Sequence, residues 1–434
     1  MTINFHQSKA ISPRLRSERN IRPLLTLSLP LSLALCSCVS LFVASARAQP
    51  SEPKAAKRAA PVAVSGLVET ATGFTQLTQA DIDPRPLTSV HRARLWLRGA
   101  VETRASYMVH LAYDRVGADE LALLQGKPLG DTRAPAVQDI ILHLNVLPKQ
   151  RLTLTTGFFR PAVGHENNTV VITLPTMEPA LTSSLVRRAT VDRGHGRASG
   201  FNLGSLIKLG GELSLQLHAG LFVPTYSGTR DYVSYEQSLG TQLNSLLASS
   251  LTLTWGDRSQ RRNGNLLFHF NPLKSARALH FGASAAYQGA TDRMREGQVF
   301  TGFVAGQWDQ LLFDGEWVST KRFHADGGLI SNRAWHARLA YQINIGEHQL
   351  TPFVLHTRLD CDEVSAMDWE SSLGSLNLFA GQSALWDVGA NIHIVSRRLR
   401  LGLHFLHTSL GEAELTKQPL KEGMSGILTI HMHI

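Results

Sequence analysis

Residues 91–99 read HRARLWLRG, with Arg92, Arg94 and Arg98 on even positions and Ala93, Leu95 and Leu97 on odd ones. Successive side chains of a β-strand point to opposite faces, so a strand here has one apolar face and one strongly cationic face. The cationic face needs water beside it. The outside of a soluble sheet supplies that, and so does a barrel whose outside meets lipid and whose inside is wet.

The chain around this stretch is built for export. Lys9, Arg14, Arg16, Arg19 and Arg22 precede an uncharged apolar run from Leu24 to Ala44, and Ala46-Arg47-Ala48 supplies the small residues of a signal-peptidase site. Residues 1–48 therefore read as a signal peptide cleaved before Gln49. An apolar run of this length also suits a transmembrane anchor, but Pro30 and the Ala-x-Ala site favour cleavage. Cys36 and Cys38 lack a convincing lipobox. Residues 49–61 (QPSEPKAAKRAAP) form a Pro/Ala/Lys tether, and 62–434 is the structural domain. The whole chain has a formal charge of +9; residues 1–48 hold six Lys or Arg and one acid, which leaves +4 for the remainder. That excess is too small to argue for a nucleic-acid partner. Only Cys361 survives cleavage, so there is no disulfide framework and no Cys/His zinc site with more than one thiolate.

Beyond residue 61 the pattern is period two almost throughout. Leu213, Leu215, Leu217, Ala219, Leu221 and Val223 alternate with Ser214, Gln216, His218 and Gly220; Leu399, Leu401, Leu403 and Phe405 alternate with Arg400, Gly402 and His404. Trp386 to Ile394 and Leu428 to Ile434 alternate in the same way. Segments of about 10 residues with this dyad repeat are the signature of transmembrane strands. Short turns at 102–103, 148–149, 210–211, 309, 346 and 396–397 separate long polar connections at 117–136, 161–196, 224–246, 289–297, 320–332, 360–382 and 409–422. This alternation is that of periplasmic turns and extracellular loops. A β-sandwich has no reason to show it.

The expected fold is all-β: a transmembrane antiparallel barrel of about sixteen strands. The strands are expected at 62–76, 88–101, 104–116, 137–147, 150–160, 197–209, 211–223, 247–256, 278–288, 298–307, 310–319, 333–345, 347–359, 383–394, 398–408 and 423–434. A further candidate at 264–271 would break the alternation and is placed in a long periplasmic connection. Barrels of roughly 16 strands leave an aqueous channel. The inward faces carry mainly Arg, His, Gln, Asn, Ser and Gly with few acids, which favours anions.

The most specific stretch is TGFFRPAVGHENNTVVITLPTMEPAL, residues 156–181. Gly157-Phe158-Phe159-Arg160-Pro161, Gly164, Glu166 and Met177-Glu178 resemble the G-x-F-[KR]-P-x-x-G-x-E…M-E segment of the phosphate-selective porin O and P family. The resemblance covers roughly residues 62–220, including the strand at 91–98 and YMVHLAYD at 107–114. It implies a sixteen-stranded, homotrimeric outer-membrane barrel of a Gram-negative bacterium, in contact with outer-membrane lipids, that passes small anionic solutes such as phosphate. Lysines are few on the inward faces, so that family's lysine series has no counterpart here. Ile434 stands where such barrels commonly end on an aromatic residue.

Residues 161–196 form a loop long enough to fold inward as a constriction or to cover the mouth. The candidate pore-lining and anion-binding residues are Arg92, Arg94 and Arg98 on the opening strand with Arg160, Arg187, Arg188, Arg193 and Arg197 around this loop. Guanidinium forks suit phosphate and carboxylate. The alternative is structural, with Glu166, Glu178 and Asp192 pairing with the arginines around the loop, Arg160, Arg187, Arg188, Arg193 and Arg197, to hold it down. Inward histidines at 218, 280, 336, 393, 404, 431 and 433 lack a Cys or carboxylate at ligand spacing and read as solvated lumen groups, so no metal and no cofactor is expected. HExxH, GxSxG and P-loop motifs are absent. A barrel enzyme using Ser183 or Ser184 beside His195, and a closed structural or adhesive barrel, are the rival readings; no enzyme is expected. Trp255, Trp308, Trp317 and Trp386 fall near strand ends, as interfacial girdles do.

Overall fold

The computed structural model describes residues 62–77, 85–101, 104–116, 136–147, 151–170, 173–191, 196–223, 245–257, 276–289, 294–324, 328–361, 382–394, 398–410 and 423–433. The stretches expected to be a signal peptide (1–48) and a tether (49–61), the 264–271 candidate and Ile434 lie outside them. In chain order the strands are β1 (Ala63–Leu77), β2 (Arg85–Val101), β3 (Ala105–Val116), β4 (Ala136–Asn145), β5 (Thr153–Phe159), β6 (Ala198–Gly210), β7 (Leu213–Val223), β8 (Leu246–Gly256) and β9 (Ala276–Gln288). They continue as β10 (Met294–Asp309), β11 (Leu311–His324), β12 (Leu329–Tyr341), β13 (Ile343–Ile345), β14 (His348–Cys361), β15 (Gln382–Ile394), β16 (Leu399–Leu410) and β17 (Gly423–His433). β12 and β13 are one stave interrupted at Gln342, since both pair with β14. The result is a closed antiparallel barrel of sixteen strands, each paired with its sequence neighbour, with β1 also pairing β17. Between β5 and β6 the chain forms two helices, α1 (His165–Asn168) and α2 (Leu181–Val191). No helix among the described residues is long and apolar enough to cross a membrane.

Every expected strand is found, displaced at its ends by a few residues. Tight turns need left-handed backbone, and Asp309 (φ 54°) and Gly346 (φ 60°) adopt it. The two faces are chemically opposite and inverted relative to a soluble sheet. Leu403, Phe405, Leu428, Ile430 and Met432 are exposed on the outside, while their strand neighbours Arg400, His404, Thr429 and His431 are buried inside. Ser214, Gln216 and His218 of β7 are likewise buried, as are Asn391 and Asp387 of β15. An exterior this apolar is solvated by hydrocarbon, not water.

The opening stretch obeys this division. Arg94 faces Leu67, Trp96 faces Ser65 and Arg98 faces Ala63 of β1, all on the inward side, and Leu95 points out. A register shift between Glu69 and Thr70 inserts an extra residue at His91, so that His91 and Arg92 are both buried.

A charge on the outer face near the membrane midplane costs roughly 2–4 kcal/mol. Leu95→Arg and Leu403→Arg are therefore expected to lower the yield of heat-modifiable barrel on gels, while Arg98→Gln, on an exposed inward position, leaves it unchanged. Normal assembly of both arginine variants together with failure of Arg98→Gln would mean that the faces are reversed.

Candidate functional site

The segment between β5 and β6 enters the barrel and lies against its inner wall. Phe159 ends β5, Pro161 cannot continue the ladder, and Gly164 turns the chain with φ 79°; a Cβ there would crowd Val186, Asn167 and Glu316. Residues 160–169 are all buried. Glu316 of β11 accepts the backbone N–H groups of His165 (2.6 Å) and Glu166 (3.0 Å), and Ser284 Oγ of β9 accepts that of Gly164 at 2.9 Å. The His165 ring stacks on Phe303 of β10, with centroids 4.5 Å apart.

One ion-pair cluster fixes the loop to the wall. Arg338 of β12 donates to Glu166 Oε1 at 2.5 Å and to Asp314 Oδ2 at 3.2 Å. Glu166 Oε1 also accepts the N–H of Ala180 at 2.9 Å, which ties the two halves of the loop together. His336 bridges Asp314 (3.0 Å) and Thr182 of α2 (2.8 Å). Burial alone would push the Glu166 carboxyl up, but Arg338, and after it His336, outweigh burial and hold it below the usual carboxylate range.

Further along, Leu181 N–H donates to Thr357 of β14 and Met177 N–H to Asp387 of β15. Arg400 donates to Leu174 O at 2.9 Å, Asn391 to Pro175 O at 2.7 Å and Arg92 to Met177 O at 2.5 Å. Helical spacing makes α2 two-sided. Leu181, Leu185, Val186 and Ala189 are buried in an apolar cluster with Val299, Val318, Ala334 and Leu359 of the wall, whereas Ser184, Arg187 and Arg188 keep solvent exposure.

The structure sorts the expected site residues. Arg92 is buried against Glu69 (3.0 Å) and Glu178 (3.3 Å). Arg197 grips Asp139 through Nε (2.7 Å) and Nη2 (3.2 Å), and His110 shares that carboxylate at 2.7 Å. Arg160 and Arg187 converge on Asn167, the former at its carbonyl and the latter at its side-chain oxygen, 3.2 Å away. Arg160 and Arg197 flank the paired ends Phe159 and Ala198 of β5 and β6. Burial, followed by repulsion from Arg197 and Arg187 and then Arg94, disfavours the charged form of Arg160, and Asp139 opposes this. Arg160 and Arg187 are thus joined through Asn167 and feel Arg197 and Arg94 as like charges, which Asp139 offsets at Arg160 and Glu166 and Glu178 offset at Arg187. Arg98 stands apart at the exposed start of β2's pairing with β1, and the carbonyl of Arg188 accepts from Arg322 at 2.8 Å. Arg193, Asp192 and His195 lie outside the described residues.

Two expectations need correction. Acids are not scarce on the inner wall: Glu69, Asp139, Asp314, Glu316 and Asp387 are all buried there. The histidines also have carboxylate neighbours across strands: His336 with Asp314, His404 with Asp387 and His431 with Glu69. Glu166, Asp314 and His336 even approach metal-ligand spacing, but Arg338 already occupies the centre of that group as its cation. Spacing along one strand cannot reveal these pairs, because each partner sits on a neighbouring strand. The holding role expected of loop acids is real for Glu166 and Glu178, though their partners are the wall residues Arg338 and Arg92.

No protein-family model matches the chain, and no curated protein matches it in sequence. Among solved structures, the fold is similar to an anion-selective porin from Comamonas acidovorans, with 14% identity and a TM-score of 0.55 over 86% of this chain and 99% of that one. It is also similar to Pseudomonas putida OprB, with 9% identity and a TM-score of 0.51 over 86% of this chain and 94% of that one. The architecture is thus the one found in porins.

Removing one member of a buried ion pair costs roughly 3–5 kcal/mol. Arg338→Met strands Glu166 and Asp314 together and is expected to expose the 160–197 segment to protease while the barrel remains heat-modifiable; Arg338→Met with Glu166→Gln restores part of the protection. Equal protection in wild type and Arg338→Met would show that the loop is held by its apolar face alone. The Glu166 contribution is present above the ordinary carboxylate pKa and is lost as pH falls below it, so protease access should rise only in strong acid.

Proposed function

We propose that the chain is an outer-membrane porin: a water-filled, anion-preferring channel for passive uptake of small anionic solutes, phosphate among them. The observation that carries this reading is the gathering of arginines at the inward-folded loop: Arg160 and Arg187 both bond Asn167, and Arg197 and Arg94 act on both as further like charges. Like charges held together in a low-dielectric wall repel one another, and an anion passing among them relieves that repulsion. Arg187 and Arg188 lie on the half-buried side of α2, opposite its apolar face. The apolar exterior supports residence in a membrane, and the anion-selective porin of like fold supports the preference by analogy of architecture. As homotrimers are implied by the sequence resemblance, the channel is read as one of three.

A second reading has its own support. The apolar face of α2 packs on the side of the barrel that bears Val299, Val318, Ala334 and Leu359, and a barrel closed by this plug would be structural or adhesive.

Planar-bilayer recordings separate the two. A channel gives conductance steps in the wild type and a reversal potential of anion sign. Arg94→Gln with Arg187→Gln should move that potential toward zero, more at 0.01 M salt than at 0.1 M, because the screening length falls from about 30 to about 10 Å. Steps that appear only after about 20 residues of the 161–196 loop are deleted, a length for a loop of this class, would establish the plugged barrel instead. Cation-sign potentials in the wild type would remove the anion preference.

A further inference from the structure

On the outer wall of β11, β12, β14 and β15 three indoles and an imidazole form one band. Trp317 pairs with Trp335 across β11 and β12. His356 of β14 lies between Trp335 and Trp386, with ring centroids 5.0 and 4.1 Å away. On the same outward face, toward the end of the barrel that bears the 362–381 connection, stand Lys321, Arg333 and Arg358. Ser319 faces Arg333, Lys321 faces Ser331, and Trp335 faces Arg358, so each cation is the diagonal neighbour of the next, with backbones about 7–8 Å apart. Arg358 donates through Nε to Asp360 at 3.0 Å and through Nη2 to Gln382 Oε1 at 3.1 Å, all of these groups being exposed. Lys321 and Arg333 are exposed and make no ion pair within 4.0 Å among the described residues, although Asp360 stands opposite Arg333 in the strand register. Glu296 of the adjacent β10 is taken up by Tyr287 and Gln298.

The opposite rim is built differently. There Arg277 is closed by two bonds of 3.0 Å to Asp309 and lies over the Trp308 ring. Cations on the lipid-facing wall are costly unless they reach headgroups, and aromatic bands mark the level at which headgroups begin. Guanidinium forks bind phosphate through parallel N–H donors.

We propose that Lys321, Arg333 and Arg358, seated on the Trp317–Trp335–Trp386 band, form a binding site for a phosphate-bearing lipid headgroup in the leaflet at the long-connection end of the barrel. The proposal rests on the membrane-barrel reading and is independent of whether the lumen conducts. The acyl chains lie along the apolar wall below the indoles, and the phosphate bridges the diagonal row. Asp360 competes for Arg358 and sets the affinity.

The test is native mass spectrometry of the detergent-extracted, heat-modifiable protein with diphosphoryl lipid A and with its phosphate-free form as probes. The wild type retains the diphosphoryl lipid in preference. Lys321→Gln/Arg333→Gln/Arg358→Gln should lower that retention by about tenfold or more, since each basic residue contributes appreciably at an anionic lipid surface. Asp360→Asn should raise retention, a gain that a folding defect cannot produce, and Arg277→Gln on the other rim should leave it unchanged. Displacement of the lipid by an equal concentration of inorganic phosphate, equal retention of both lipids, or no loss in the triple variant overturns the site. A wild-type chain that yields no heat-modifiable barrel overturns the membrane reading and the site with it, whereas a folded barrel without preference overturns the site alone.

Discussion

Everything in this structure depends on the pairing of β1 with β17. Eleven residue pairs, from Leu67 with His433 to Leu77 with Gly423, join the first described strand to the last. Without them the sheet would present two open edges, and in hydrocarbon each unpaired backbone N–H or C=O costs several kcal/mol. Closure removes both edges and in doing so separates two solvents. The outside can then be Leu, Phe, Val and Trp without aggregating in water, and the inside must carry the polar residues that a soluble protein would place on its surface. The contact spans the whole domain, so it cannot form before the intervening strands are arranged.

The polar interior brings an electrostatic constraint of its own. A lumen filled with water tolerates isolated charges, but this lumen is partly filled by the chain between β5 and β6, and the charges beneath that segment lose their water. They are accordingly matched. Glu69 takes Arg92 and His431, Asp139 takes Arg197 and His110, Asp314 takes Arg338 and His336, and Asp387 takes His404. Glu316 follows another route, accepting the two N–H groups at the start of α1. Buried pairs of this kind contribute little net stability against an apolar alternative, yet breaking one is expensive. Their effect is to specify where the loop sits.

The strands were legible in the sequence because a two-residue period is a local property, written in full within each segment. Leu213 to Val223 and Leu399 to Phe405 show it unbroken, and both run as read. The faces were legible to the same extent: Arg94 and Arg98 point inward and Leu95 outward. Legibility fails where the period slips. The bulge opposite Glu69 and Thr70 buries His91 beside Arg92, and a second shift at His110 and Leu111 brings Asp139 opposite His110. It fails again for partners. Nothing within residues 160–170 announces that Glu166 meets Arg338, a residue 172 positions later, or that His336 and Asp314 complete the group. Trp335 joins the band of Trp317 and Trp386 only through cross-strand register, and Trp317, expected near a strand end, stands mid-strand because β11 runs on to His324. The opening stretch likewise reads as uniformly wet, whereas Arg92 is sealed and only Arg94 and Arg98 retain solvent.

The position of α2 follows from its two faces and decides what the lumen can do. One face, with Leu181, Leu185, Val186 and Ala189, is apolar and seeks the small apolar patch that Val299, Val318, Ala334 and Leu359 place on an otherwise polar wall. Burying such side chains contributes on the order of 1.5–3 kcal/mol each for the larger ones, so the helix is held to that side of the barrel more strongly than by any single hydrogen bond. The other face, Ser184, Arg187 and Arg188, is then turned away from that patch, and Arg187 shares Asn167 with Arg160 at the end of β5. The apolar seal and the cationic group are consequences of the same helical spacing. A segment that packed its apolar face anywhere else would disperse the arginines, and one without the arginines would leave the seal intact but nothing on its open side to favour an anion.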